Sequence, residues 1–180
     1  KANRAHLPRP KYLDVVREQL IQSFNVEVVK GIESDDALSI AQHENIASLY
    51  ANLTKSDTII CTIDKDLNIV PGWHYNFVKD EKYWVDEIDG LRFFYSQILT
   101  GDTADGIPRI VPKIVLTKYV ESLNSCQTEQ LLYRQTKNIV IELFKKHKIE
   151  EDIDKWILER GQILYPLKQL NTLWTIPEGV

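Results

Sequence analysis

The sequence predicts an α/β fold: a parallel sheet flanked by helices, followed by a helical carboxyl-terminal region. Two observations carry this. The stretch Thr58-Ile59-Ile60-Cys61-Thr62-Ile63-Asp64-Lys65-Asp66-Leu67 is a short, mostly β-branched apolar run, too brief for a helix, that stops on two aspartates. From Pro112 onward the apolar spacing is helical, with segments at 114–123, 129–147 and 153–164. In an open α/β sheet, ligands gather beyond the carboxyl ends of parallel strands. Asp64 and Asp66 therefore present hard oxygen ligands where a cation would sit.

The other elements follow in order. Residues 1–11 hold Pro8, Pro10 and four basic residues, and read as an extended, mobile lead-in. Leu13, Val16, Leu20 and Ile21 have helical spacing, which predicts a helix from Tyr12 to about Phe24. Val26-Glu27-Val28-Val29 reads as a short strand ended by Gly31. Glu33-Ser34-Asp35-Asp36 then opens a helix whose apolar positions run from Ala37 to Tyr50. After the Thr58–Asp66 strand comes a turn at 68–72, and then a hairpin of Trp73–Val78 and Tyr83–Val85 around 79–82. His74, a lone histidine among aromatics, is read as structural. Phe93–Leu99 is a short helix leading into the turn Thr100-Gly101-Asp102-Thr103-Ala104-Asp105-Gly106-Ile107-Pro108. The segment from Leu167 to Val180 looks like a packed tail.

Composition is that of an ordinary soluble chain of 180 residues, enough for one well-buried domain with a helical appendage. No apolar run approaches the ~18 residues of a membrane span, and no secretory signal is present. Cys61 and Cys126 lack metal-site spacing. Cys61, inside the strand, reads as a buried thiol in a reducing, cytoplasmic compartment. The sequence contains no methionine, which leads us to expect a piece of something longer. Basic residues bunch at Lys1, Arg4, Arg9 and Lys11, at Arg109, Lys113 and Lys118, and at Lys145, Lys146 and Lys148. The last group has the character of a solvated helix face.

Seven carboxylates fall in three separated clusters: Glu33, Asp35 and Asp36; Asp64 and Asp66; Asp102 and Asp105. A helix cap would explain one acid of the first cluster, not three in four positions. A turn would explain one aspartate of the third, whereas a three-residue spacing points both the same way if the turn is helical. Without these seven, the formal charge of −4 would become +3. Close carboxylates repel one another unless a cation sits between them. An all-oxygen set favours Mg²⁺ or Mn²⁺ over Zn²⁺, and two such ions ~3.5–4 Å apart suit in-line attack of water on a phosphodiester. An EF-hand over Asp64, Asp66 and Asn68 would need Gly and Glu where Ile69 and Tyr75 stand. A haloacid-dehalogenase type phosphatase would use Asp64 and Asp66 but leave the other clusters idle.

These motifs resemble those of the flap endonuclease and 5′–3′ exonuclease superfamily. Gly31 with Glu33-Ser34-Asp35-Asp36 resembles its G-x-E-A-D-D motif, and Ile63-Asp64-Lys65-Asp66-Leu67 its S-x-D-K-D-L motif. Leu99 to Pro108 resembles L-x-G-D-x-x-D-N-I-P, with Gly106 in place of Asn. Lys1-Ala2-Asn3-Arg4 looks like the Y-K-x-N-R string that begins the helical arch, and Gly161 to Trp174 looks like the phage-type members. The resemblance implies a PIN-like α/β core and a 5′–3′ exonuclease or flap endonuclease acting near 5′ ends of DNA, with an RNA–DNA hybrid as a further substrate class. It implies two ions, one held by Glu33, Asp35 and Asp36 and the second by Asp102 and Asp105, with Asp64 and Asp66 completing both. Lys1 and Arg4 would contact the scissile phosphate.

The resemblance also divides the chain. Residues 1–24 would be the end of the arch and its following helix, 25–111 the metal-binding core, and 112–180 a helical DNA-binding region. Family members carry a preceding half that supplies the central strand, so an amino-terminal part of the same protein is an expected partner. Their glycine-rich helix-hairpin-helix is reduced here to Pro108-Arg109-Ile110-Val111-Pro112-Lys113. Without glycines the backbone cannot approach a phosphate closely. Arg109, Lys113 and Lys118, with Arg9, are therefore expected to hold DNA by charge, without K⁺. The alternative from another class is a module that holds DNA ends without cutting them.

Overall fold

The computed structural model describes residues 8–52, 58–103 and 105–180, with side chains described for 8–45, 58–103 and 105–180. Among these residues the chain is mixed α/β, with six α-helices and one small three-stranded sheet. Helix α1 (Leu13–Ser23) and helix α2 (Ser34–Asn52) precede strand β1 (Ile59–Cys61). A 3₁₀ turn over Lys65–Ile69 leads to the hairpin β2 (Gly72–Asn76) and β3 (Glu81–Val85). Helices α3 (Glu87–Thr100), α4 (Lys113–Ser122), α5 (Glu129–His147) and α6 (Ile153–Leu164) complete the order. None is long and apolar enough to cross a membrane, among the described residues.

The sheet is mixed, not parallel throughout. β1 runs parallel to β2, with Ile60 opposite His74, and β2 runs antiparallel to β3, with Trp73 opposite Trp84. The hairpin is local, and its turn is built by Asn76, whose side-chain oxygen accepts from the amides of Val78 and Lys79 at 3.1 Å each. Asp80 then takes a left-handed φ of 56°. Across the pair, Trp73 and Trp84 meet edge to face at 5.3 Å, a contact that fixes register.

The expected nine-residue strand is cut to three. Asp64 accepts from the amide of Asp66 at 3.0 Å and so caps the 3₁₀ turn, drawing the chain out of the ladder. Cys61 is exposed, not buried. β1 lies at the sheet edge and only Ile60 of its three side chains points inward. Val26–Val29 joins no ladder among the described residues. Together with Leu13, Val16, Leu20, Ile21 and Phe24 it lines an apolar groove instead, and α1 buries none of its residues.

The main core forms around α3. Phe94, Tyr95, Ile98 and Leu99 are fully buried against Leu116, Leu132, Val140 and Ile157, so residues from both sides of position 112 share one apolar cluster. The tail adds Trp174, which stacks edge to face on Phe94 at 5.2 Å and donates its indole N–H to Glu129 at 3.2 Å. α3 starts earlier than its apolar run suggested. Gly90 lies so close to the Ile69 carbonyl oxygen that a Cβ would collide with it, which seats the helix on the backbone of the 3₁₀ turn. The basic end of α5, Lys145, Lys146 and His147, is exposed and complements the negative end of the helix dipole.

His74 is completely buried, and its Nε2–H donates to the Val70 carbonyl at 2.8 Å. Burial pulls its pKa below the ordinary value, and the hydrogen bond opposes this only in part. The unfolded chain therefore takes up the proton first as pH falls. Stability should decline as pH falls through about 6.5, the ordinary imidazole value, and level off below the folded pKa. His43, also lowered by burial, acts in the same direction. Thermal melts across this range should show the decline, with a shallower slope in His74→Gln, whose amide can still donate to Val70.

Candidate functional site

Three separated stretches of chain meet at one cavity of about 940 Å³. Glu33, Asp35 and Asp36 line it from the start of α2, Asp64 and Asp66 from the 3₁₀ turn, and Asp105 from the loop after α3. The far wall is the tail, including Tyr165, Pro166, Leu167 and Asn171.

Each cluster is held by specific partners. α2 is fixed to the sheet by Gln42, 1% exposed, whose amide donates to the carbonyls of Pro71 and Trp73 at 3.2 and 3.4 Å. Gln42 also accepts from the Thr58 hydroxyl at 2.7 Å. Asp36 accepts from the Leu167 amide at 3.0 Å, which ties the tail across the mouth of α2. Asp64 is anchored by its own cap. Asp66 is oriented from α3, where the Gln97 amide donates to Oδ1 at 2.6 Å.

Asp102 and Asp105 do not point the same way. The segment after α3 is a turn rather than a helix, closed by the Ile107 amide on the Asp102 carbonyl at 2.7 Å. Asp105 is exposed on the cavity, whereas the Asp102 side chain is turned inward and 8% exposed. Gly101 permits the turn. Its φ is 66°, and a Cβ there would stand 2.5 Å from the Ile107 carbonyl oxygen. Lys65 joins the second and third clusters, its Nζ lying 3.4 Å from Asp66 Oδ1 and 3.5 Å from Asp102 Oδ2. Burial lowers the Lys65 pKa, but the two carboxylates outweigh it and hold the ammonium above its ordinary value.

The donors are hard oxygens, the set suited to Mg²⁺ or Mn²⁺. They are gathered but not drawn together: among the described residues, no three His, Cys, Asp or Glu stand close enough to hold one ion. A buried acceptor adds to the fit. Gln97 is 4% exposed, and among the described residues its Oε1 has no hydrogen-bond partner while its Nε2 is fixed on Asp66.

Of the expected DNA contacts, Lys1 and Arg4 lie outside the described residues. Arg9, Arg109, Lys113 and Lys118 are all exposed. Lys113 opens α4, whose first turn carries no acid, so helix dipole and ammonium add to one positive point. Arg109 is four residues beyond Asp105, hence within about 14 Å along the chain. Lys118 sits over the Tyr119 ring at 4.7 Å.

Sequence patterns gave no hint of Gln42, Gln97 or Arg160, which make the site rigid. Arg160 on α6 is 8% exposed and stacks on Trp156 at 3.7 Å. It donates to the Pro108 carbonyl at 2.6 Å and the Ile98 carbonyl at 3.4 Å, joining the end of α3 to the end of the Asp102 loop. Burial pulls its pKa down to about 10. A buried cation that satisfies carbonyls is a recognisable device only once the fold is known. Arg160→Ala should lower stability by about 2–3 kcal/mol in urea denaturation, with Arg160→Lys falling between, because an ammonium keeps the charge but not the planar fork.

Compared with protein-family models, curated proteins and solved structures, the chain matches none at a significant level, so its site is read from its own residues.

Proposed function

We propose that this chain belongs to a divalent-metal-dependent nuclease that hydrolyses phosphodiester bonds near 5′ ends of DNA, in the manner of the 5′–3′ exonucleases and flap endonucleases its motifs resemble. The observation that supports it most is that acidic side chains from three separated segments line one cavity. Carboxylates are gathered in this way against their mutual repulsion when a cation is to be held.

Glu33, Asp35, Asp36, Asp64, Asp66, Asp102 and Asp105 would hold one or two Mg²⁺ or Mn²⁺ ions. Such ions supply Lewis acidity toward the phosphate and the attacking water. The chain's own residues do the rest. Gln97 orients Asp66, the Leu167 amide orients Asp36, and the tail restricts access of water from one side. Arg9, Arg109, Lys113 and Lys118, with Lys1 and Arg4 by resemblance, would draw and hold the phosphate backbone.

A second reading is a module that grips DNA ends without cutting. It is favoured by the spread of the carboxylates, which among the described residues leaves no three-ligand group. One experiment separates the two. A 5′-labelled flap duplex is incubated with the chain in Mg²⁺ or Mn²⁺, beside Asp64→Asn and Asp66→Asn. The nuclease reading expects cleavage that falls on the order of 10²–10³-fold in each variant. It also expects binding that weakens linearly in log salt. Binding without cleavage would leave the end-binding module, and neither would overturn both.

A further inference from the structure

One of the carboxylates lining the acidic cavity, Asp66, is already paired with a cation of the chain's own. Lys65 Nζ stands between Asp66 Oδ1 and Asp102 Oδ2, at 3.4 and 3.5 Å. These distances exceed the ~2.7–2.9 Å of a strong charge-assisted hydrogen bond. The Lys65 side chain is 68% exposed, so the contact is screened and easily left. Asp102, by contrast, is 8% exposed and Asp66 is pinned by Gln97. The carboxylates are thus fixed, and the ammonium between them is not.

Gln97 is the second observation. Its amide nitrogen is committed to Asp66, and its Oε1 is buried without a donor among the described residues. A buried acceptor left unmet is costly. Lys65 is spent on the two carboxylates, and a small hydrated species lodged beside Asp66 would supply the missing donor. A divalent cation with its water shell brings both charge and donors, since Mg²⁺ and Mn²⁺ keep several waters when bound by one or two carboxylates.

We propose that Lys65 is a displaceable internal counter-ion, holding Asp66 and Asp102 together in the metal-free protein and exchanging its place with a divalent cation. This rests on the metal-dependent reading above and assigns a positioning role to a residue that reading leaves idle. A bound dication would neutralise both carboxylates more fully than one ammonium. The four-carbon stem then lets Lys65 swing into solvent without moving the backbone.

The test compares Mn²⁺ binding by isothermal titration calorimetry in the wild-type chain, Lys65→Gln and Lys155→Gln. Lys155 is exposed on α6, paired with Glu159 at 3.9 Å, and serves as a control for net charge alone. Loss of the competitor should tighten Mn²⁺ binding about 3–10-fold in Lys65→Gln and leave Lys155→Gln unchanged. In melts, Lys65→Gln should be less stable than wild type without metal, and saturating Mn²⁺ should erase the difference. Equal effects of the two variants, or weaker Mn²⁺ binding in Lys65→Gln, would overturn the counter-ion role while leaving the metal site in place. Absence of Mn²⁺ binding in all three would overturn the metal site as well. Absence of DNA cleavage with Mn²⁺ bound would remove only the nuclease reading.

Discussion

Helix α3 is the constraint on which the site depends. Its first turns rest on the 3₁₀ turn, where Gly90 meets the Ile69 carbonyl with no room for a side chain. Its last turn sends Gln97 to Asp66 and ends at Gly101, one residue before Asp102. One rigid rod thus sets the separation of two acidic clusters. Burial holds the rod in place: Phe94, Tyr95, Ile98 and Leu99 are closed off by α4, α5 and α6. A substitution in that core would act on the cavity without touching it, because packed interiors transmit strain.

The cavity places like charges together, and the fold offsets the repulsion in three ways. Local backbone amides take up some of the charge: Asp64 accepts from Asp66, and Asp36 from Leu167. Lys65 supplies a neighbouring positive charge. The apolar cluster around α3 reaches the cavity through Leu164 and Tyr165, which set uncharged surface beside the carboxylates. The acidic walls and the apolar cluster are joined by Arg160 and by the tail.

Much of this was legible in the sequence, for definite reasons. Helices α4, α5 and α6 were readable because their apolar periodicity coincides with real burial, at Leu116, at Leu132, Tyr133, Ile139 and Val140, and at Trp156, Ile157 and Leu164. The hairpin was readable because its turn is local. The acidic clusters were conspicuous because a cap or a turn needs fewer carboxylates than each one has. What misled was a one-dimensional view of Ile59 to Ile63. An apolar run suggested a buried strand reaching Asp66, but the capping hydrogen bond of Asp64 competes with the ladder and β1 ends at Cys61. Val26–Val29 has strand-forming residues and no partner to pair with among the described residues, which no local pattern can show. The orientation of Asp102 hung on whether its turn was helical, and Gly101 settled this by adopting a positive φ. Gln42, Gln97 and Arg160 were invisible because their partners are backbone carbonyls or residues far along the chain.

The shortened strand leaves a practical opening. Of the two thiols in the chain, Cys126 is enclosed in the core, while Cys61 faces solvent three residues before Asp64. A maleimide dye or nitroxide should therefore attach at one place, on the strand that leads toward Asp64, with no engineered cysteine. The protein comes with its own anchor for a fluorescent or paramagnetic reporter, three residues along the chain from a carboxylate that lines the cavity.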